Sequence, residues 1–204
     1  MKISYAVTAF NELNELKHLI PFLLEHKRKE DEIVVLWDNK GPLEVLHYLQ
    51  TLEPEVIVCA NEFNHHFADW KNRLTSLCNG DYIFQIDADE IPHSHLIESL
   101  PYILENNESD IVLVPRINTL YPKVTQDYIK KWGWKMNDKG WIQWPDNQWR
   151  IYKKCSEIKW INKVHEQLDG YKNYANLPEL EEYALYHHKT VERQELQNAY
   201  YNSL

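Results

Sequence analysis

The sequence predicts an α/β domain with a mostly parallel central sheet and helices on both of its faces. Two observations predict this fold class: apolar, β-branched runs alternate with amphipathic stretches, and each apolar run is nearly continuous. A strand that is apolar along its whole length is buried on both faces, which is typical of parallel strands covered by helices. No repeat, linker or low-complexity segment interrupts the pattern, so we expect one domain over residues 1–204.

The regular part of the pattern lies in the first 115 residues. Residues 2–9 are apolar and β-branched, which predicts a strand, and we expect Asn11 to cap the helix that follows. The predicted helix at residues 67–77 places Trp70 and Leu74 on one side and ends before an Asn-Gly pair. The other predicted elements here are strands at residues 32–37, 55–60, 81–86 and 110–114 and helices at residues 43–52 and 94–105.

The pattern becomes irregular after Pro115. Short apolar runs predict strands at residues 148–152 and 157–160, and residues 191–201 read as a final helix. Before these strands comes a long segment, residues 121–144, that is rich in aromatic side chains. A loop of this length in a compact domain is usually functional or disordered.

Composition and charge exclude several classes of function. The chain has 22 basic and 31 acidic residues, a net charge of −9, and no basic run of the kind that nucleic-acid binding requires. Its three cysteines are widely spaced, which excludes a disulfide scaffold and a cysteine zinc site. We see no signal peptide and no apolar stretch near the roughly 20 residues that span a bilayer. We therefore expect a cytoplasmic protein whose work at any membrane would be peripheral.

Polar residues gather where the predicted strands end. In a parallel sheet the ligand binds outside the carboxyl ends of the strands, and here those ends carry residues 8–11, Asp38, residues 61–64 and residues 87–90. Asp87 and Asp89 follow a buried strand one residue apart, and hard cations such as Mg²⁺ and Mn²⁺ use carboxylates to bridge to substrate phosphates. A solvated acidic turn is the alternative interpretation, but the position at a strand end favours a metal site.

Several sequence features occur in a set order along the chain. They are a first strand that ends in TAFNE, Asp38, ADWKNR at residues 68–73, DADE at residues 87–90, WPDNQWRIYKK at residues 144–154, VHE at residues 164–166 and HHK at residues 187–189. In this order the set resembles the family-2 glycosyltransferases of the GT-A fold. The last three features are similar to those of small bacterial sugar transferases that act on lipopolysaccharide cores. The resemblance implies the GT-A fold, with a nucleotide-sugar-binding half at residues 1–115 and an acceptor-side half at residues 116–204.

The resemblance also implies an activity and its partners. It implies a metal-dependent enzyme, using Mn²⁺ or Mg²⁺, that moves one sugar with inversion from a nucleotide-sugar donor, most often a UDP-sugar, to a hydroxyl of a glycan or glycoconjugate. The implied nucleotide-binding residues are Thr8, Phe10, Asn11, Glu12, Asp38, Asp69, Asn72, Arg73 and Asp87. For Phe10 a place in the core, and for Glu12 a place in the first turn of the helix, are equally good interpretations.

The catalytic and metal-binding residues follow from the same resemblance. A transfer with inversion needs a carboxylate that deprotonates the acceptor hydroxyl; Asp146 is the first choice for this base and Glu166 the second, although an Asp after Pro145 also suits a turn. The implied metal ligands are Asp89, Asp87 and His187, and strand alternation lets only one of His187 and His188 point inward. Gln148, Arg150, Trp132, Trp134 and Trp141 are the expected acceptor or diphosphate contacts.

Two other functions fit parts of the sequence. A nucleotidyltransferase that makes a nucleotide-sugar would share the sheet and the paired acids, but it would normally carry a glycine-rich loop after the first strand, and TAFNELNELK has no glycine. A non-catalytic carbohydrate-binding protein would explain the aromatic residues of segment 121–144, which we interpret as a lid or platform for sugar stacking. It would leave the acids at the strand ends without a role.

Overall fold

Twelve strands and six helices make up the computed structural model, which describes residues 1–201. Most of the elements predicted from the first 115 residues are present, and the bounds of three predicted helices, the third, the fourth and the last, are confirmed residue for residue. In chain order the elements are β1 (Ile3–Ala9), α1 (Leu13–His26), β2 (Glu32–Asp38), α2 (Leu43–Gln50), β3 (Ile57–Asn61), α3 (Phe67–Leu77), β4 (Tyr82–Asp87), β5 (Glu90–Pro92), α4 (Ser94–Glu105), β6 (Ile111–Val114), β7 (Arg116–Tyr121), α5 (Gln126–Ile129), β8 (Gln148–Lys153), β9 (Lys159–Ile161), β10 (Gln167–Asp169), β11 (Tyr174–Asn176), β12 (Leu185–Thr190) and α6 (Val191–Tyr201).

Seven of the strands form the central sheet, in the order β11-β6-β8-β4-β1-β2-β3. The pairs β1–β2, β1–β4, β2–β3 and β6–β11 are parallel, and β8 runs antiparallel to both of its neighbours. The sheet is therefore mostly parallel, as the apolar runs predict. Because β8 comes from the second half of the chain and lies between β4 and β6, the two halves of the chain share one sheet.

Helices cover both faces of this sheet. Alternate residues of β1 point to opposite sides, so that Tyr5 packs with the helices α1, α2 and α4 while Ala6 packs with α3. Within α1, Leu16, Ile20 and Leu23 form the buried stripe. These two apolar layers hold the strand ends rigidly at one edge of the sheet, where the polar residues lie.

A second, smaller sheet lies beside that edge. Its order is β5-β12-β7, with β12 antiparallel to β5 and parallel to β7. The sequence analysis did not predict these strands, because each carries polar residues at alternate positions and has no continuous apolar run. This small sheet brings residues from positions 90, 116–118 and 187–189 against the end of β4.

Two further expectations need correction or completion. Asn11 does not cap α1: Glu12 occupies that position, and its carboxylate accepts hydrogen bonds from the backbone N–H groups of Phe10 and Asn11 at 2.7 and 3.0 Å. Segment 121–144 is ordered through α5 and through Ile142, whose N–H donates to the Asn118 carbonyl at 2.9 Å. Of the helices within residues 1–201, none has the length and apolar character needed to cross a membrane.

Candidate active site

The ends of β1, β2 and β4 meet at one edge of the central sheet. Thr8 is the register partner of Asp87 on β4, and Asp38 ends the neighbouring strand β2. Parallel pairing forces this arrangement, since parallel strands present their carboxyl ends at the same edge. The predicted convergence of polar strand ends is therefore present.

Asp87 lies in a group of charged residues that we call the arginine cluster: Asp87, Glu90, Arg116 and Arg150. Arg150 Nη2 donates to Asp87 Oδ2 and to Glu90 Oε1, both at 2.6 Å, and Arg116 Nη1 donates to Glu90 Oε1 at 2.9 Å. The Glu90 side chain is 0% exposed and that of Arg150 is 4% exposed. Two arginines thus neutralise two carboxylates inside the protein, and this satisfies charges that would otherwise be costly to bury.

The arginine cluster fixes the ionisation of Asp87. Burial opposes its ionisation, but the charges of Arg150 and Lys71 outweigh burial and hold the pKa of Asp87 well below its ordinary value. Its Oδ1 also accepts a hydrogen bond from Gln85 Nε2 at 2.9 Å. Both carboxylate oxygens of Asp87 therefore have partners within the protein. Arg150 comes to Asp87 from the antiparallel strand β8. The expectation that Asp87 ligates a metal stays a prediction.

Asp89 lies in different surroundings, which we call the Asp89 corner: Asp89, His187, Lys189 and Arg193. Its Oδ2 is 3.4 Å from His187 Nε2, 3.7 Å from Lys189 Nζ and 3.5 Å from Arg193 Nη2. Burial opposes ionisation of Asp89, but the hydrogen bond and charge of His187 and the charge of Lys189 outweigh burial and lower the pKa of Asp89. The corner therefore combines one carboxylate with two cationic side chains and an imidazole.

Strand β12 supplies two of the four residues of this corner. Alternation along β12 buries His187 and Lys189, whereas His188 is exposed and pairs with Thr119. The prediction that His187 is the inward histidine of its pair is confirmed. Burial is the main reason why the pKa of His187 is lowered, and Asp89 opposes this shift.

Asn118 on β7 connects the Asp89 corner with Asp146. Its Nδ2 donates to Asp146 Oδ2 at 2.7 Å, and its Oδ1 is 2.7 Å from His187 Nδ1. The carboxylate of Asp146 fixes the orientation of the Asn118 amide, so Nδ1 of His187 carries the proton that Asn118 accepts. The other ring nitrogen, Nε2, faces Asp89 at 3.4 Å.

We tested whether these residues suit a divalent ion. Among residues 1–201, no three His, Cys, Asp or Glu side chains are grouped as ligands for one ion. Asp89 and His187 do suit such an ion as a pair. Asp89 Oδ2 and His187 Nε2 lie 3.4 Å apart, and Asn118 orients the imidazole through Nδ1. Mg²⁺ and Mn²⁺ commonly take one or two protein ligands and complete their coordination with phosphate oxygens and water.

Asp146 is held by three donors at the end of segment 121–144. Arg116 Nε and Asn118 Nδ2 donate to its Oδ2 at 2.9 and 2.7 Å, and Gln148 Nε2 donates to its Oδ1 at 2.7 Å. Burial opposes ionisation of Asp146, but the charge of Arg116 and these hydrogen bonds outweigh burial and lower its pKa. The side chain is still 24% exposed, so an incoming hydroxyl group has access to it.

Glu166, the second candidate base, pairs with Lys71 of α3. Lys71 Nζ lies 2.5 Å from Glu166 Oε1 and 4.5 Å from the centre of the Trp160 ring, and it is also 3.9 Å from Asp87 Oδ1. The Lys71 side chain is only 6% exposed. Glu166 is therefore held by a buried ammonium group. The same Lys71 side chain connects Glu166 to Asp87 of the arginine cluster.

The other residues predicted to bind the nucleotide divide into three groups. Thr8 and Asp38 lie at the site edge, and Asp38 Oδ1 accepts from the N–H groups of Lys40 and Phe63. Asn72 holds β9 against α3, because its amide both donates to and accepts from the Trp160 backbone, at 2.8 and 2.9 Å. The exposed members are Phe10, Asn11, Asp69 and Arg73.

The tryptophans expected to contact an acceptor form two separate groups. Trp132 and Trp134 pack together with ring centres 4.9 Å apart, next to Tyr128 and Lys131. Trp141 instead packs edge-on against Trp144, with centres 4.8 Å apart. Only the second group adjoins Asp146, through Pro145. Arg150, which was expected to face the acceptor or the diphosphate, is buried in the arginine cluster.

The sequence analysis missed several residues of the site. Arg116 and Asn118 alternate with the buried Ile117, which is the period-two signal of a strand with one polar face. Lys71 lies three residues after Ala68 and three before Leu74, within the buried stripe of α3. Arg193 gave no signal in the sequence, because its partners Asp89 and Glu15 are distant in the chain.

Comparisons with known proteins give the family and the fold of the chain. The sequence model of the family described as Glycosyl transferase family 2 matches residues 4–165. No curated protein sequence matches the chain.

Solved structures of TarS from S. aureus are similar to this chain. TarS 1–349 in complex with UDP-GlcNAc aligns with a TM-score of 0.65 and 14% identity, over 93% of this chain and 59% of that chain. A second structure of TarS 1–349 gives a TM-score of 0.64 at 16% identity, over 91% and 60% of the two chains. Another TarS structure gives 0.63 at 16% identity, over 97% and 38%. The present chain thus spans three fifths or less of each TarS chain, and the likeness lies in the fold.

Proposed function

The chain belongs to glycosyl transferase family 2, and we propose that it transfers one sugar, with inversion, from a UDP-sugar to a hydroxyl group of a glycan or glycoconjugate. One observation carries this proposal: Asp89 lies 3.4 Å from His187, and two hydrogen bonds then connect His187 through Asn118 to Asp146. It places a group suited to the donor's diphosphate and a group suited to the acceptor's hydroxyl on either side of one amide.

The donor's diphosphate would lie at the Asp89 corner. Lys189 and Arg193 are 3.7 and 3.5 Å from Asp89 Oδ2, so two positive charges face the region into which a phosphate would enter. Negative charge develops on the diphosphate as the bond to the sugar breaks, and fixed positive charges stabilise that change most in a site with little water. Thr8 and Asp38 lie at the same edge, where the ribose and the base would bind.

Asp89 and His187 would hold a Mn²⁺ or Mg²⁺ ion together with oxygens of the diphosphate. Such an ion supplies Lewis-acid stabilisation of the leaving group when it is bound. The residues of the chain orient the ligands: Asn118 holds the imidazole through Nδ1. Asp87 remains with Arg150, and the 32% of its side chain that is exposed would be available to a ribose hydroxyl.

Asp146 is the proposed base. It would take the proton of the acceptor hydroxyl while the oxygen attacks the anomeric carbon from the side opposite to the diphosphate, which inverts that carbon. Arg116 and Asn118 keep Asp146 ionised and oriented. Glu166 is a weaker candidate because its carboxylate is held by Lys71, and we propose that it keeps Lys71 in place beside Asp87.

The donor class rests on the comparison. TarS 1–349 was solved with UDP-GlcNAc, which favours a UDP-sugar for this chain. A nucleotidyltransferase would instead consume a nucleoside triphosphate and a sugar phosphate, and the end of β1 carries no glycine-rich loop for a triphosphate. A carbohydrate-binding protein without activity would not need cations around Asp89.

The test combines binding and turnover. Calorimetry with UDP and Mn²⁺ should show metal-dependent binding to the wild type and, within about threefold, to Asp146→Asn, while UDP release from a panel of UDP-sugars should fall roughly 10²–10⁴-fold in that variant. Glu166→Gln is the matched control and should keep more activity than Asp146→Asn. If the wild type ignores UDP, the proposed function is wrong, and if Asp146→Asn turns over normally, the base is another residue.

A further inference from the structure

Trp141 and Trp144 form one wall of an open cavity of about 460 Å³. This volume lies in the range of small-molecule sites. The same two residues also line a second cavity of about 240 Å³. Trp144 and Asp146 belong to one tight turn, in which the Asp146 N–H donates to the Gln143 carbonyl at 2.9 Å. One residue that lines the larger cavity, Trp144, is therefore two positions from the proposed base and in the same turn.

Carboxylates surround the larger cavity. Asp138, Glu179, Glu181 and Glu182 line it, and Lys139 is the single cation among its lining residues. Lys139 Nζ is 3.4 Å from Glu181 Oε2 and 4.3 Å from the centre of the Trp141 ring. Glu181 is thus neutralised and linked to the indole, while the exposed Glu179 and Glu182 give the cavity a net negative charge.

The donor side differs from this cavity because cations accompany its carboxylates. Arg116 lies beside Asp146, and Lys189 and Arg193 lie beside Asp89, where an anionic diphosphate would find positive charge. The tryptophan cavity would repel the same anion, since like charges brought together in a partly desolvated site cost free energy. The two sites therefore differ in their balance of charge: carboxylates predominate at the tryptophan cavity, whereas cations accompany the carboxylates of the donor side.

We propose that the cavity beside Trp141 and Trp144 is the acceptor subsite and that it takes a neutral or amino sugar, not a phosphorylated or carboxylated one. This inference rests on the proposed glycosyl transfer and narrows its acceptor class. The C–H face of a pyranose packs on indole rings, and each carboxylate oxygen accepts hydroxyl or ammonium hydrogens. Because Trp141 and Trp144 also line the second cavity, an acceptor of two or more sugar units has room in the two cavities together.

The experiment measures acceptor binding without any donor. Saturation-transfer NMR at tens of millimolar would compare methyl glycosides of glucose, galactose, mannose and N-acetylglucosamine, together with glucosamine, against the 6-phosphates of the same hexoses. At least one neutral or amino sugar should bind, and each 6-phosphate should bind more weakly than its parent. No binding by any neutral or amino sugar, or tighter binding of the phosphates, would overturn the proposal.

Variants separate stacking from charge. Trp141→Ala should weaken sugar binding at least about fivefold, whereas Tyr102→Ala, which removes an exposed aromatic ring on α4, should leave it unchanged. The exposed pair Glu179→Gln with Glu182→Gln should narrow the preference for neutral over phosphorylated sugars at least about threefold without loss of the fold. An unchanged preference in that double variant contradicts the charge argument. UDP binding, measured separately, reports on the proposed function and should be the same in all of these variants.

Discussion

The arginine cluster and the Asp89 corner begin one residue apart in the chain, at Asp87 and Asp89, yet they differ in what surrounds the carboxylate. Asp87 is bonded to Arg150 at 2.6 Å, whereas Asp89 lies 3.4 Å from His187, 3.5 Å from Arg193 and 3.7 Å from Lys189. Short, paired contacts hold a fold together, and longer contacts from several groups leave a site that a ligand can enter. From this difference we predict that the two acids of DADE have separate roles, Asp87 mainly in stability and Asp89 in chemistry.

Removing Arg150 should have the largest effect on the fold. Arg150→Met removes one of the cations that neutralise Asp87 and the fully buried Glu90. Breaking a buried pair such as Arg150–Glu90 typically costs about 3–5 kcal/mol of unfolding free energy. Urea denaturation of the purified variant measures this loss. The contrast between the two regions fails if Arg150→Met is as stable as the wild type.

Asp89→Asn should do the opposite. The variant keeps its shape and hydrogen-bonding groups, so its unfolding free energy should change far less than in Arg150→Met, while turnover should fall roughly 10²–10³-fold. Activity and urea denaturation on the same preparation check both parts. Should Asp89→Asn be as unstable as Arg150→Met, the two acids do not have separate roles.

Asn118→Ala should have an intermediate effect. Loss of an outer partner of a metal ligand typically costs about 10–100-fold in activity or metal affinity, and the Mn²⁺ concentration for half-maximal activity should rise. The matched control is Thr119→Val on the same strand, whose side chain pairs with the exposed His188. A purely structural role for Asn118 would lower stability and leave the Mn²⁺ requirement unchanged.

The smallest expected effect is on the pH dependence of stability. The pKa values of Asp87, Asp89 and Asp146 are all lowered in the folded protein, so the unfolded chain binds more protons once the pH falls below the ordinary value near 4. Unfolding free energy should therefore be lost as the pH falls through that region, by up to about 1.4 kcal/mol per pH unit for each proton taken up. Asp89→Asn should show a shallower slope than the wild type in urea titrations at several acidic pH values.

The two regions also differ in how far the sequence predicts them. The end of β4, and with it Asp87 and Asp89, follows from a local apolar run, and α3 follows from its stripe, because these patterns repeat within one element. The partners of the two acids do not follow in this way. Arg150 reaches Gln85 across 65 positions of the chain, and Arg116 belongs to a strand whose alternation is short and half polar.

The predicted metal ligands show the same limit. The resemblance to the family implies one ligand set of Asp87, Asp89 and His187. It does not indicate that β8 runs antiparallel between β4 and β6 and brings Arg150 to Asp87. A contact that depends on the direction of a distant strand is decided by tertiary packing, which no local pattern reports.

Arg193 links the two ends of the described chain. Its Nη1 donates to Glu15 of α1 at 2.6 Å while its Nη2 faces Asp89 and Glu12. If a phosphate of the proposed donor drew Arg193 toward itself, the hold of Arg193 on α1 would weaken, and occupancy of the site would be coupled to the attachment of α6. The rate of hydrogen exchange at the backbone amides of α6 would then report whether the donor site is occupied.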